Sequence, residues 1–287
     1  MSGIVVVGAG QAGAALSAKL RSLGHQGPLT LIGAEPEPPY QRPPLSKAYL
    51  LGEMAKERLW LRPPAFYAEQ GIDLRIGLAA VAIDRVARVV GLSDGSSLPF
   101  DRLALTTGAV PRRLPTAAGG DLGGVFTVRT LADVDAIAPT LVAGARVLVI
   151  GGGYIGLEAA AVARKLGLQV TLVELAPRIL ARVACAETAD WFRALHLGHG
   201  VDLREGTGLT RLEGDGQVTA AVLNDGTRLP VDLVIAGIGV APDTALAAAS
   251  GLTIDNGIAV DGFGQTSDPA IFSAGDCASF PHDDGRI

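Results

Sequence analysis

Three sets of residues in this chain have types and spacings that could carry chemistry. The first is Gly8, Gly10 and Gly13 in VVVGAGQAG, followed by Glu35, and the second repeats it as Gly151, Gly153 and Gly156 in VLVIGGGYIG, followed by Glu174. In a G-x-G-x-x-G turn between a strand and a helix, the first glycine turns the chain and the second lets a pyrophosphate reach the backbone. The third lets helix and strand pack closely. The helix N-terminus then faces the phosphates, and an acid about 20 residues further on accepts from ribose hydroxyls. The third set is a pair of cations, Arg42 and Lys47, inside PPYQRPPLSK at residues 38–47. Proline fixes its own φ and biases the preceding residue away from helix, so this stretch reads as a stiff extended segment holding two placed charges.

The elements that must position these groups are legible around them. Residues 4–7 are a β-branched run, 11–23 a helical segment and 29–32 a second strand; the same order returns at 147–150, 154–166 and 169–173. Short strands are expected at 72–76, 81–84, 87–92 and 103–107, a helix at 187–197, and strands at 201–204, 217–223 and 231–243. The second unit is thus inserted into the first. The expected class is α/β, with two Rossmann-like three-layer dinucleotide-binding domains, residues 1–112 with 242–287 and residues 113–241. Two adjacent dinucleotide sites suggest that two redox cofactors meet, as in an NAD(P)–flavin couple. The mechanics of the turns do not say which copy holds which.

Composition narrows the classes further. Of 287 residues, 48% are hydrophobic, 38 are glycine and only 5% are aromatic, which favours many strand–turn–helix junctions over a bundle or a disordered chain. A net charge of −5 leaves no basic footprint for nucleic acid, so none is expected as a partner. Cys185 and Cys277 lie far apart with no CxxC, which writes neither a disulfide framework nor a redox dithiol and fits a reducing, cytoplasmic setting. Residues 1–18 lack a basic region ahead of their apolar run, and the long apolar stretch at 147–163 carries three consecutive glycines and Glu158. Neither a signal peptide nor a membrane partner is expected. His25, His196, His199 and His282 are too scattered to form a metal site with the cysteines; His196 and His199 can share a helix face, but no Glu or Cys completes a ligand set.

Taken together, VVVGAGQAG, PYQRPPLSK, LALTTGAVPR, VLVIGGGYIGLEAA, VTLVE, GIGVAP and AGDCASFP resemble, in family order and over essentially the whole chain, the FAD-dependent pyridine nucleotide-disulfide oxidoreductase superfamily. Within it they resemble the ferredoxin reductases of the putidaredoxin reductase type. The resemblance implies that the first fingerprint and the final AGDCA hold FAD while the inserted unit holds NADH. It implies that the proline-rich segment runs beside the flavin ring, with Lys47 near the N5 edge and Arg42 near phosphates or ring. Glu158 resembles the family glutamate that pairs with that lysine beside the nicotinamide. Asp276, after Gly275, resembles the aspartate that bonds the ribityl chain, with a helix expected to start behind it. The same resemblance adds Thr107, Gly108 and Arg112 in LALTTGAVPR, and Gly237 and Gly239 in GIGVAP, to the cofactor contacts.

A carboxylate at Glu174 favours NADH, because it binds a 2′-hydroxyl and repels a 2′-phosphate; Arg178 nearby weighs the other way. Disulfide reductases of the superfamily place a cysteine pair beside the flavin or a CxxC in the second domain. This chain has Tyr40, Gln41 and Arg42 in the flavin-side segment. Electrons are therefore expected to leave for an external acceptor, which the family implies is a [2Fe-2S] ferredoxin, of the kind that can serve an oxygenase. The alternatives are an NADH oxidase or rubredoxin reductase, or a non-catalytic NADH-sensing flavoprotein resembling apoptosis-inducing factor. Family members continue beyond the GDCA motif with a C-terminal interface domain, which is expected to be absent from this chain.

Overall fold

The computed structural model describes residues 3–283, 285 and 286; the expected outer ends of the first domain, Met1 and Ile287, lie outside them. The chain begins β1 (Gly3–Val7), α1 (Gln11–Ser22), β2 (Leu29–Gly33), then α2 (Pro64–Glu69), β3 (Asp73–Ile76), β4 (Ala80–Asp84), β5 (Val89–Leu92), the long β6 (Ser97–Leu105) and β7 (Ala109–Pro111). It continues β8 (Val125–Phe126), α3 (Leu131–Ile137), β9 (Arg146–Ile150), α4 (Tyr154–Lys165), β10 (Gln169–Glu174), α5 (Ala186–Gly198) and β11 (Asp202–Glu205). Three antiparallel strands follow, β12 (Leu209–Asp215), β13 (Gln217–Leu223) and β14 (Arg228–Pro230), then β15 (Leu233–Ala236) and β16 (Val240–Pro242). The last elements used below are α6 (Ala245–Ala249), β17 (Ile258–Ala259), β18 (Ile271–Ser273) and β19 (Ala278–Ser279).

Two compact units result, Met1–Gln41 with Lys56–Val110 and Ala241–Ile287, and Arg42–Ala55 with Pro111–Val240. In the first, a seven-stranded sheet runs β3-β2-β1-β6-β5-β4, with β18 also paired to β6. Its centre is parallel, and β4–β5 continue it as an antiparallel hairpin. Alternation along the strands divides the core between the two faces. Val5, Val7, Leu103 and Leu105 pack with Phe100, Leu252 and Ile271, whereas Val6, Leu31 and Ala104 pack with Tyr67 of α2 and Leu16 and Leu20 of α1.

The second unit has a five-stranded sheet, β11-β10-β9-β15-β8, parallel throughout. Its central strands β9 and β15 are apolar and buried on both faces, as a parallel sheet covered on both sides requires. Leu148, Ile150, Val173 and Val234 meet Leu212, Val218, Ala221 and Leu223 of the antiparallel strands, while buried Leu157, Ala160 and Ala163 belong to α4, which packs on β9, β10 and β15.

Three local expectations are corrected. The segment 42–55, expected with the first domain, packs with the second unit. It is also not extended throughout: Leu45–Tyr49 forms a π-helical turn with Pro44 at its N-cap. Proline restricts only the residues at and before it, so the chain is free to turn once past Pro44. The single strand expected at 231–243 is two, β15 and β16, broken where a Cβ on Gly237 would stand 3.4 Å from the backbone of Gly156 and Gly239 takes φ +99°.

Candidate functional site

In each unit the glycine fingerprint lies at the C-terminal end of a central parallel strand. Gly8 takes φ +112°, and a Cβ there would stand 2.1 Å from the Thr106 carbonyl oxygen; Gly151 takes φ +106°, with the Gly237 carbonyl oxygen at 2.4 Å from the same imaginary atom. Gly13 and Gly156 are equally hemmed in, by the carbonyl oxygens of Gly8 at 2.1 Å and Gly151 at 2.0 Å. These four glycines are required by the chain itself. Gly10 and Gly153 are different. Both have ordinary extended backbone (φ −90° and −81°), and a Cβ on either would meet no protein atom within 4 Å. Nothing in the chain demands glycine there, so the open space fits a group that lies against the backbone.

The helix ends give the same reading. Gly10 and Gly153 are the N-caps of α1 and α4, neither helix has a side-chain cap, and neither has an acid in its first turn. In contrast, α3 of the second unit is closed by a capping box, with Thr130 and Asp133 satisfying one another's backbone N–H groups. Uncapped N–H groups and the positive end of the helix dipole are left facing the open side of both glycine turns, where a pyrophosphate fits.

The structure brings other expected residues to these turns. In the first unit the Tyr40 hydroxyl donates to the Glu35 carboxylate. Thr107 Oγ1 donates to the Asp243 carbonyl at 2.6 Å, and Asp243 N donates to the Gly108 carbonyl at 2.8 Å. Gly275, at φ +84°, lies against Ala12 near the start of α1, its imaginary Cβ 3.0 Å from that methyl. Asp276 follows in an exposed turn. The helix expected behind it does not form: residues 278–279 are β19, paired with β17. Pro281 would end any helix begun there within its first turn.

In the second unit both Glu174 oxygens are engaged by backbone, Oε2 from Gly152 N at 2.6 Å and Oε1 from Ala176 N at 2.7 Å. The acid is thereby fixed against the glycine turn. Arg178 does not stand free beside it, since its guanidinium donates to the carbonyls of Ile179, Ala181 and Ala184. Arg112 N donates to the Gly239 carbonyl at 2.9 Å, which keeps the 237–239 turn beside the strand that follows Gly108. Arg42 donates from Nη1 to the Arg129 carbonyl at 2.7 Å, and Lys47 Nζ lies 2.8 Å from Glu158 Oε1. That ion pair is 49% and 29% exposed in its side chains. An exposed pair of this kind contributes about 0–1 kcal/mol, so stability alone does not account for placing it.

Two residues outside the expected set support the turns. Thr106, buried between the strands, donates through Oγ1 to the carbonyls of Val7 at 3.0 Å and Gly8 at 2.9 Å. Ser46 donates to Glu158 Oε2 at 2.6 Å. A small hydroxyl residue beside a motif carries no spacing signal in one sequence, and its partner here is set by tertiary structure. No helix of the described residues is long and apolar enough to cross a membrane, and no cluster of His, Cys, Asp and Glu among them could hold a metal ion.

The family model for pyridine nucleotide-disulphide oxidoreductases matches residues 2–287. Putidaredoxin reductase of Pseudomonas putida is 47% identical over 282 residues, covering 96% of this chain and 67% of that protein. A ferredoxin–NAD(P)+ reductase of a Sphingomonas species is 46% identical over 277 residues, covering 96% and 67% respectively. The crystal structure of a covalent putidaredoxin reductase–putidaredoxin complex superposes with a TM-score of 0.94 at 46% identity, over 98% of this chain and 69% of that one. The chain thus spans about two thirds of the length of these relatives, and on sequence and fold together it belongs to the pyridine nucleotide-disulphide oxidoreductase family.

Proposed function

We propose that the chain is a flavoprotein reductase of the cytoplasm that moves electrons from NADH through FAD to a [2Fe-2S] ferredoxin. The observation that carries this reading is the pair of open cradles at Gly10 and Gly153, one in each unit, each at an uncapped helix N-terminus. Two dinucleotides fit them. Bound FAD supplies the ability to accept hydride as an electron pair and to release electrons one at a time.

The chain's residues divide the work. In the first unit, taken as the FAD-binding domain, Gly8, Gly10 and Gly13 admit the pyrophosphate to α1, Glu35 is held by Tyr40 to accept from ribose hydroxyls, and Thr107, Gly108, Gly275 and Asp276 line the rest. In the second, taken as the NAD-binding domain, Gly151, Gly153, Gly156, Gly237, Gly239 and Arg112 frame the nucleotide. Glu174 presents negative charge where a 2′-phosphate would lie, and donors of Arg178 that would bind such a phosphate are taken up by backbone carbonyls; NADH is preferred on that ground. The Lys47 ammonium would offer positive charge to a bound flavin ring, Glu158 holds the ammonium in place, and Arg42 would add positive charge toward phosphate or ring. No cysteine stands in the Tyr40–Arg42 stretch to take up electrons. An external acceptor follows, and relatives named for putidaredoxin and ferredoxin support its class.

The test is an anaerobic titration of the FAD-loaded protein with NADH and then NADPH, following the flavin absorption bands, before a [2Fe-2S] ferredoxin is added. Rapid bleaching by stoichiometric NADH, a slower response to NADPH and reoxidation by the ferredoxin are expected. A protein inert to both nucleotides after FAD is added would overturn the reading. Bleaching with no electron flow to ferredoxin would redirect it to another acceptor.

A further inference from the structure

Glu158 on α4 is gripped at both oxygens by consecutive residues of one turn, Lys47 at Oε1 (2.8 Å) and Ser46 at Oε2 (2.6 Å). Adjacent residues of a regular helix do not face the same neighbour. They do here because the backbone leaves helical geometry at Lys47, with φ −129° and ψ −112°. The two partners are unequal. Ser46 is only 6% exposed, whereas the Lys47 side chain is 49% exposed and carries a long, strongly hydrated arm that costs entropy to hold. A short buried hydroxyl loses little freedom when it bonds, and its bond to a charged oxygen is of the stronger kind.

The turn is anchored on its other side as well. The Tyr49 hydroxyl donates to Asp135 Oδ1 of α3 at 2.7 Å, Arg42 reaches the Arg129 carbonyl, and the backbone N–H groups of Lys47 and Tyr49 both donate to the Pro44 carbonyl at 3.0 Å. Ser46 therefore approaches Glu158 from a fixed base.

We propose that Ser46 is a positioning residue for the Lys47–Glu158 pair. Its hydroxyl fixes the plane of the Glu158 carboxylate, and the fixed carboxylate holds the Lys47 ammonium in one place. No bond is made or broken and the hydroxyl proton stays on Oγ. The consequence for turnover rests on the assignment of this pair to hydride transfer; the consequence for Lys47 does not.

The experiment uses Ser46→Ala, Ser46→Thr, Glu158→Ala and the double variant Ser46→Ala/Glu158→Ala. Its first readout is the rate of reductive methylation of Lys47 Nζ without nucleotide, read by peptide mass spectrometry against Lys19 as reference. Ser46→Ala should raise the Lys47 rate by roughly two- to tenfold, the effect of one lost hydrogen bond. Ser46→Thr, which keeps the hydroxyl, should keep the wild-type rate. In the Glu158→Ala background the Ser46 substitution should change nothing, since the two act as a unit. The second readout is flavin reduction by NADH in rapid mixing, where Ser46→Ala should lower the limiting rate by about tenfold with NADH affinity unchanged.

An unaltered Lys47 rate in Ser46→Ala overturns the proposal. So does an undiminished Ser46→Ala effect in Glu158→Ala, or a Ser46→Thr variant that behaves like Ser46→Ala. If no variant, nor the wild type, is reduced by NADH, the hydride-transfer assignment fails while the methylation rates still decide the role of Ser46.

Discussion

The six fingerprint glycines divide into four hemmed in by backbone and two, Gly10 and Gly153, with open space where a side chain would stand, and substitution separates the two groups. Gly8→Ala places a methyl into the Thr106 carbonyl at a backbone angle that L residues rarely adopt, and should cost about 3 kcal/mol or more of stability. Gly10→Ala and Gly153→Ala meet no protein atom. They should cost at most about 1 kcal/mol, the difference between glycine and alanine as an N-cap. Each should nonetheless weaken its own dinucleotide by roughly tenfold or more, as overpacking of about 1–3 kcal/mol transferred to the ligand. Melting curves together with separate FAD and NAD titrations check both halves; a Gly10→Ala protein that binds FAD normally would remove the reason for the open cradle.

At the level of elements, two buried polar side chains have measurable consequences. Tyr67, on α2, is 1% exposed and its hydroxyl has no hydrogen-bond partner among the described residues; burial pushes its pKa up to about 12. Removing an unsatisfied buried hydroxyl relieves a desolvation cost, so Tyr67→Phe should stabilise the protein by about 1 kcal/mol, read as a higher urea midpoint. His196 of α5 is 7% exposed, and burial first, then the charge of His199, lowers its pKa below the ordinary 6.5. The unfolded chain therefore binds the proton more readily. Stability is full above about pH 6.5 and falls as pH drops below it, by at most about 1.4 kcal/mol per pH unit for this one proton. Urea midpoints across that range should show a shallower acid slope in His196→Gln than in the wild type; equal slopes would mean that other groups govern it. Element type was legible where periodicity ran long: α1, α4 and β13 fall within one residue or so of their expected bounds. The turn at Leu45–Tyr49 was not, because proline statistics act locally while this turn is held from α3 and α4.

For the whole molecule, the two compact units imply that each cofactor should leave its footprint on its own stretch of chain. In hydrogen exchange, FAD should protect peptides around residues 8–13, 105–108 and 274–276, and NAD+ those around 151–156, 174–176 and 237–239. At 100 times its Kd, a ligand stabilises the folded form by about 2.7 kcal/mol, ample to slow exchange in the unit that binds it. Protection of the second set by FAD, or of the first by NAD+, would reverse the assignment of cofactors to domains.

Sequence by itself determined the α/β class, the duplication and the insertion of one unit in the other, because the strand, glycine turn, helix and acid of each copy recur in order within one short stretch. Only the tertiary structure decided which glycines are packed and which stand open, since that depends on Thr106 and Gly237, residues about 80 to 100 positions away in the chain. It also decided that Arg178 is spent on backbone carbonyls, that segment 42–55 packs with the second unit, and that Ser46 meets a carboxylate 112 residues on. A hydroxyl or a guanidinium is short-ranged in what it can bond but not in where its partner lies in the chain, so its role is fixed by packing rather than by pattern.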